Sequence, residues 1–287
     1  MKPLNIDNYI AEVTAWLKSY AEKAGLKGFV LGVSGGVDSA VVSTLCARTG
    51  MPVLCLEMPI HQDPSHTARS TKHINWLKQQ FPEVSSVNID LTAAFDVMRN
   101  TLHDNKPFPT DKGTLADANI RSRLRMITSY FQANCYGFLV AGTGNKVEDF
   151  GVGYFTLGGD GQIDLSPIGD LTKTEVWAVA AELGVAQEII DAKPTDGLWA
   201  GSPSDEDQIG ASYPELEWAM DFIETQIAPL GGGAASSSID TIVAVVGKKE
   251  TENVERKKEV MRIYMTRNRA NKHKMNPIPV FETNICR

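Results

Sequence analysis

Positive charge, paired cysteines and long apolar runs are all scarce in this chain. Its 287 residues include 28 lysines and arginines against 35 aspartates and glutamates, a formal net charge of −7. A nucleic-acid binder usually carries a basic footprint, so this balance argues against one. An anionic small molecule, met by a few local cations, stays open. Four cysteines, Cys46, Cys55, Cys135 and Cys286, are scattered and form no CxxC pair. That argues against a disulfide framework or a thiolate zinc site, and it fits a reducing cytoplasm. No apolar run reaches the roughly 18 residues of a membrane helix, so no membrane span is expected. The N-terminal stretch MKPLNIDNYIAEVTAWLKSY lacks the apolar core of a signal peptide. Neither the G-x-x-x-x-G-K-[ST] phosphate loop nor the dinucleotide motif G-x-G-x-x-G is present.

What is present suits a soluble globular protein: 43% hydrophobic and 22% charged residues. The length allows one large α/β domain or two small ones, so length alone does not decide. Residues 7–24 read as a helix with Ile10, Val13, Trp16, Leu17 and Tyr20 on one stripe. GFVLGV (28–33) and PVLCLEM (52–58) read as buried strands, with a helix at 37–49 between them. Further helices are predicted at 63–80, 92–102, 115–135 and 172–184, and further strands at 84–89 and within GFLVAGTG (137–144). Strand–helix alternation of this kind predicts a doubly wound parallel sheet flanked by helices, which binds ligands beyond the carboxyl ends of its strands. Both glycine loops, 34–36 and 142–144, fall there. Beyond residue 190 the pattern weakens. A long polar segment (192–210) reads as a functional lid or a disordered stretch, LGGGAASSS (230–238) has linker composition, and a last helix is predicted at about 250–268.

The stretch SGGVDS (34–39) follows directly on the first strand. Two glycines let the backbone turn and approach a ligand. The helix that follows offers N–H groups and the positive end of its dipole, and Ser34 and Ser39 add hydroxyl donors. Asp38 is out of place beside phosphate. Either it is a first-turn residue stabilised by the dipole, or it holds Mg²⁺ against phosphate.

SGGVDS resembles the pyrophosphate loop of the ATP pyrophosphatases, which cleave ATP between the α and β phosphates. Three further segments narrow the resemblance: NIRSRLRM (119–126), GTGNKVEDFGVGYFTLGGDGQIDLSPIGDLTKTEV (142–176) and KPTDGLWAGSPSDEDQIG (193–210), with KHK at 272–274. In order and spacing the chain is similar to the NAD synthetase family from about residue 30 to residue 275. That resemblance implies an ATP-binding loop of Ser34, Gly35, Gly36, Val37, Asp38 and Ser39. It implies further ATP contacts at Thr143, Lys173 and Thr195, and Mg²⁺ carboxylates at Asp38 and Glu148. Deamido-NAD contacts are implied at Arg123, Asp164, His273 and Lys274. Each has a plainer reading: a solvated helix-start lysine for Lys173, a surface ion pair for Arg123, a turn cap for Asp164, a basic tail for His273 and Lys274. Arg121, Arg123 and Arg125 cannot all face one way on a helix. Leu157 follows Thr156 where many members of the family carry lysine.

The implied reaction joins ATP, deamido-NAD and ammonia into NAD, AMP and pyrophosphate through a carboxyl adenylate. Asp38 and Lys173 would carry the charge work, with Asp160 helping to deprotonate ammonium. No room for a glutaminase domain precedes the first strand, so free ammonia is the expected donor. The family implies a single domain over 1–287 and a homodimer. The rival readings are a GMP synthetase-like amidation, a tRNA-thiolating ATP pyrophosphatase, and a non-catalytic nucleotide module.

Overall fold

A computed structural model describes residues 3–62, 64–104, 113–195, 197–198, 204–230 and 237–281. Contacts divide the chain into two compact units, residues 1–146 with 155–210, and residues 147–154 with 211–287.

The first unit is built on a four-stranded parallel sheet in the order β3-β2-β1-β4. Its elements run α1 (Ile6–Lys23), β1 (Phe29–Gly32), α2 (Val37–Arg48), β2 (Val53–Glu57), α3 (Pro64–Gln80), β3 (Val84–Asn88), α4 (Thr92–Asp104), α5 (Gly113–Tyr136), β4 (Leu139–Val140), α6 (Lys173–Glu182), α7 (Gln187–Ile190) and α8 (Asp205–Ile209). Phe29 pairs with Val53 and with Leu139, and Val53 pairs with Val84. This register brings the carboxyl ends of all four strands to one edge. Alternate residues of each strand feed opposite cores. Phe29, Leu31, Val53 and Cys55 pack among α1, α2 and α6 residues. Val30, Leu54 and Leu56 pack with Phe95 of α4 and Ala133 of α5. Burial on both faces is why the central strands read as unbroken apolar runs.

The doubly wound parallel sheet is as predicted, and its boundaries moved little. β4 keeps only two residues, and a parallel bridge from Ala141 to Leu165 extends that edge. On α1 the buried stripe is Ile10, Val13, Leu17 and Ala21. Trp16 and Tyr20 instead lie beside it, exposed and tilted against each other. α2 is buried from Val37 to Ala47 apart from half-buried Asp38, so it lacks a polar face.

The second unit is helical. A π-helical segment (Val147–Val152) belongs to it, followed later in the chain by α9 (Tyr213–Phe222). A second π turn (Ile223–Ile227) and a 3-10 turn (Ala228–Leu230) continue α9, and α10 (Ile239–Lys249) and α11 (Val254–Met275) complete the unit. Two expectations are corrected here. Residues after 190 hold regular helices where the sequence pattern had weakened. α11 runs to Met275, so the KHK stretch is helical and does not trail beyond the helix. Of the linker-like 230–238 stretch, residues 231–236 lie outside the described residues. Among the described residues no helix is long and apolar enough to cross a membrane.

His73 of α3 sits 2% exposed in the first core. Its Nε2 lies 3.0 Å from the Ser43 hydroxyl, and its ring stacks on Trp76. Burial disfavours the imidazolium and pulls the pKa down to about 4. The unfolded chain therefore binds this proton first. Its contribution is complete above about pH 6.5 and is lost as pH falls towards 4, on the order of 2–4 kcal/mol. Urea melts at pH 7 and pH 4.5 should show His73→Gln losing much less stability over that interval than the parent. Equal losses in the two proteins would remove His73 from the acid limb.

Candidate functional site

β1 delivers Ser34, Gly35 and Gly36 to the strand-end edge. Gly35 has φ +83, in the left-handed region that glycine enters at no steric cost. Two hydroxyls lace the loop. Ser39 Oγ accepts the Ser34 N–H at 3.2 Å and donates to the Gly36 carbonyl at 3.0 Å. Ser34 Oγ accepts the Gly36 N–H at 3.2 Å and lies 3.1 Å from Ser39 Oγ. Gly36 is the N-cap of α2 and supplies no side-chain cap. A helix start of this kind directs backbone N–H donors and a positive dipole end at the loop.

Asp38, in the first turn of α2, is gripped by two other elements. Its Oδ2 accepts from Lys173 Nζ at 2.5 Å and its Oδ1 from Asn145 Nδ2 at 3.2 Å. Lys173 opens α6, whose start is fixed by a reciprocal capping box between Thr172 and Glu175. Asn145 is fully buried at the end of the second glycine loop. The Lys173 and Asp38 side chains are 2% and 18% exposed. Neither charge is well hydrated, so each depends on the other.

The arginines of α5 diverge as the helical geometry requires. Arg121 donates to the Leu198 carbonyl at 3.0 Å and lies over the Phe95 ring. Arg123 donates to the Leu157 carbonyl at 3.2 Å. Arg125 donates to the Met58 carbonyl at 3.2 Å and to Gln62 Oε1 at 2.9 Å. Leu157 thus meets Arg123 through its backbone, while its side chain is exposed. The turn at 156–161 is closed by Asp160, whose Oδ1 accepts the Ser122 hydroxyl at 2.5 Å and the Thr156 N–H at 3.0 Å. A Cβ on Gly159 would stand 2.2 Å from Ser122 Oγ, so only glycine fits there. Asp164 accepts the Val140 N–H at 2.8 Å and the Tyr130 hydroxyl at 3.1 Å, tying β4 to α5. Burial, then the Asp164 charge, raises the Tyr130 pKa. Thr143 is half-buried in the second glycine loop, and Thr195 Oγ1 accepts the Gly197 N–H at 3.2 Å.

In the second unit, Glu148 lies on the π-helical segment and accepts the buried Tyr213 hydroxyl at 2.5 Å. Lys274 donates to the Gly153 carbonyl at 2.5 Å, alongside Asn271 to Val152 and Asn268 to Gly151. His273 turns elsewhere, exposed, with Nδ1 3.2 Å from the Ala270 carbonyl. Asn145 and Ser122, which hold Asp38 and Asp160, were not singled out in the sequence. Asn145 alone had a signal, as the polar residue ending GTGN after an apolar strand.

The parallel sheet thus carries at its strand ends a glycine loop, a buried lysine paired with half-buried Asp38, and a second glycine loop. Residues 9–277 match the family model described as NAD synthase. The chain belongs to the NAD synthase family. An NH(3)-dependent NAD(+) synthetase of Carboxydothermus hydrogenoformans is 36% identical over 220 residues, covering 75% of this chain and 85% of that one. Solved structures agree on the fold. NMN synthetase from Francisella tularensis superposes with a TM-score of 0.78 at 24% identity, covering 97% of this chain and 99% of that one. NH3-dependent NAD synthetase from Campylobacter jejuni does so with a TM-score of 0.71 at 21% identity, covering 97% and 100%. The NAD synthase relatives are ligases, and in this member the Asp38–Lys173 pair stands at the starts of α2 and α6, beside the first glycine loop.

The interdependence of Lys173 and Asp38 is open to a double-mutant cycle. Lys173→Met is expected to cost about 3–5 kcal/mol, because it strands a carboxylate largely out of water. Adding Asp38→Asn should recover much of that loss in urea denaturation. Simple additivity of the two losses would show that the pair is not coupled.

Proposed function

We propose that this chain is a ligase that amidates deamido-NAD to NAD with free ammonia, converting ATP to AMP and pyrophosphate. The observation that carries the reading is the Asp38–Lys173–Asn145 junction at the glycine loop of an NAD synthase family member. A free carboxylate resists ammonia because its carbonyl carbon is electron-rich. Adenylation removes that obstacle. A nicotinate carboxylate oxygen attacks the α-phosphorus of ATP, the bond to the bridging oxygen breaks, and pyrophosphate leaves. Ammonia then adds to the acyl carbon, the bond to AMP breaks, and the nitrogen loses a proton. The scheme asks for positioning and charge neutralisation and needs no protein nucleophile.

Within this scheme the loop residues Ser34 to Ser39 receive the ATP phosphates, and Lys173 meets their charge. Thr143 and Thr195 are assigned to ATP. Arg123, Asp164, His273 and Lys274 are assigned to deamido-NAD. Asp160, through Oδ2, is assigned to removing a proton from ammonium. The donor chemistry fits Mg²⁺: Asp38 is a hard oxygen ligand already balanced by a cation at an anion loop, and Glu148 is a second carboxylate of the same type. When bound, Mg²⁺ neutralises polyphosphate charge and the departing pyrophosphate. The assembly we assign is a homodimer. Ile127 and Phe131 lie one turn apart on α5, 57% and 64% exposed, an apolar step suited to a second copy.

Incubation with Mg-ATP, deamido-NAD and ammonium should give NAD and AMP in equal amounts. ADP in place of AMP would falsify the adenylation scheme. Asp38→Ala should reduce turnover to background, and a parental rate would remove Asp38 from the reaction. Sedimentation should find the parent as a dimer and Phe131→Glu shifted towards monomer; an unchanged dimer would place the interface elsewhere.

A further inference from the structure

We propose that Arg69 is a positioning residue for ATP, holding the Gly35–Gly36 peptide in the orientation that lets the loop accept phosphate. The inference rests on the ATP-binding reading above and adds a residue outside the SGGVDS motif.

Both ends of this peptide are restrained. Its carbonyl, on Gly35, accepts from Arg69 Nε at 3.2 Å. Its N–H, on Gly36, donates to Ser34 Oγ at 3.2 Å. Turning the peptide plane over changes only ψ of Gly35 and φ of Gly36. Neither residue has a Cβ, so sterics alone oppose the turn weakly. The turned-over peptide would present a carbonyl oxygen where the N–H now lies, beside the positive end of α2. A negative dipole there opposes an anion. The hydrogen bond from Arg69 stabilises the other orientation.

Arg69 can do this because α3 is fastened to the sheet within its second turn, immediately after Arg69. Ser70 and Thr71 both donate their hydroxyls to Glu57 Oε1, at 2.7 and 2.6 Å. Glu57 is the last residue of β2 and is 9% exposed. β2 pairs with β1, with Gly32 opposite Leu56. The side chain preceding these anchors therefore meets the loop that leaves β1. The restraint runs from β2 through Glu57 and α3 to the Gly35 carbonyl.

Three variants test the inference: Arg69→Ala, Arg69→Gln and Arg69→Lys. Calorimetric titration would give Kd for ATP, and steady-state assays would give KM for each substrate and kcat. Loss of one oriented hydrogen bond should raise Kd and KM for ATP about tenfold in Arg69→Ala. The melting temperature, kcat and KM for deamido-NAD should stay close to parental values. Arg69→Gln, which keeps an N–H donor without charge, should restore ATP binding. Three outcomes overturn the proposal: undiminished ATP binding in a folded Arg69→Ala, rescue by Lys but not by Gln, or equal weakening in all three variants. Rescue by Lys alone would identify a charge contact to phosphate instead. If Arg69→Ala does not fold, the comparison of Gln with Lys decides. Absence of ATP binding in the parent would instead sink the functional reading itself.

Discussion

The ion pair between Lys173 and Asp38 is the constraint on which the candidate site depends. It joins the first turn of α2 to the first residue of α6, two helices separated in sequence by most of the first unit. A lysine this deeply buried is tolerated only with a carboxylate against it. Asn145 adds a third element by reaching Asp38 from the loop after β4. The pairing therefore brings two helix starts and the second glycine loop together at one edge of the sheet. Phosphate chemistry needs preorganised charge of this kind, in place before the substrate arrives.

The parts of the fold legible in the sequence are those whose pattern has a single physical cause. Strands buried on both faces appear as FVL and VLCL, bounded by glycine, proline or acidic residues. α6 was legible from its glycine stop and its TKTE start. The loop was legible because Gly-Gly after a buried strand has few other uses. The hidden parts are long-range. Arg69 is one cation among several on a polar helix, and only the fold brings it to Gly35. Asp164 looked like a ligand contact or a turn cap, and in the fold it accepts a strand N–H. The helices of the second unit were obscured by polar and glycine-rich neighbours and by π turns, whose wider repeat blurs the 3.6-residue period.

That second unit solves a backbone problem with side chains. A π-helical segment ends at Val152 and must place its last carbonyls. Asn268, Asn271 and Lys274 recur every three residues along α11, on one face. They take the carbonyls of Gly151, Val152 and Gly153 in order. The basic stretch near the end of the chain therefore has a structural share as well as an assigned role with substrate. Lys274 fastens a turn, while His273 one position earlier stays exposed.

Helix α2 is enclosed by the core along nearly its whole length, and this sets how the loop can change over evolutionary time. Surface loops usually absorb insertions and deletions freely. A single residue gained or lost between Gly35 and Val37 would instead rotate α2 by about 100° and slide it about 1.5 Å. Asp38 would swing away from Lys173, and Val41, Val42 and Leu45 would leave their places in the core together. Length variation in this loop is thus penalised by packing as well as by ligand chemistry. Drift in this protein should therefore accumulate elsewhere, on the outer faces of α4, α10 and α11.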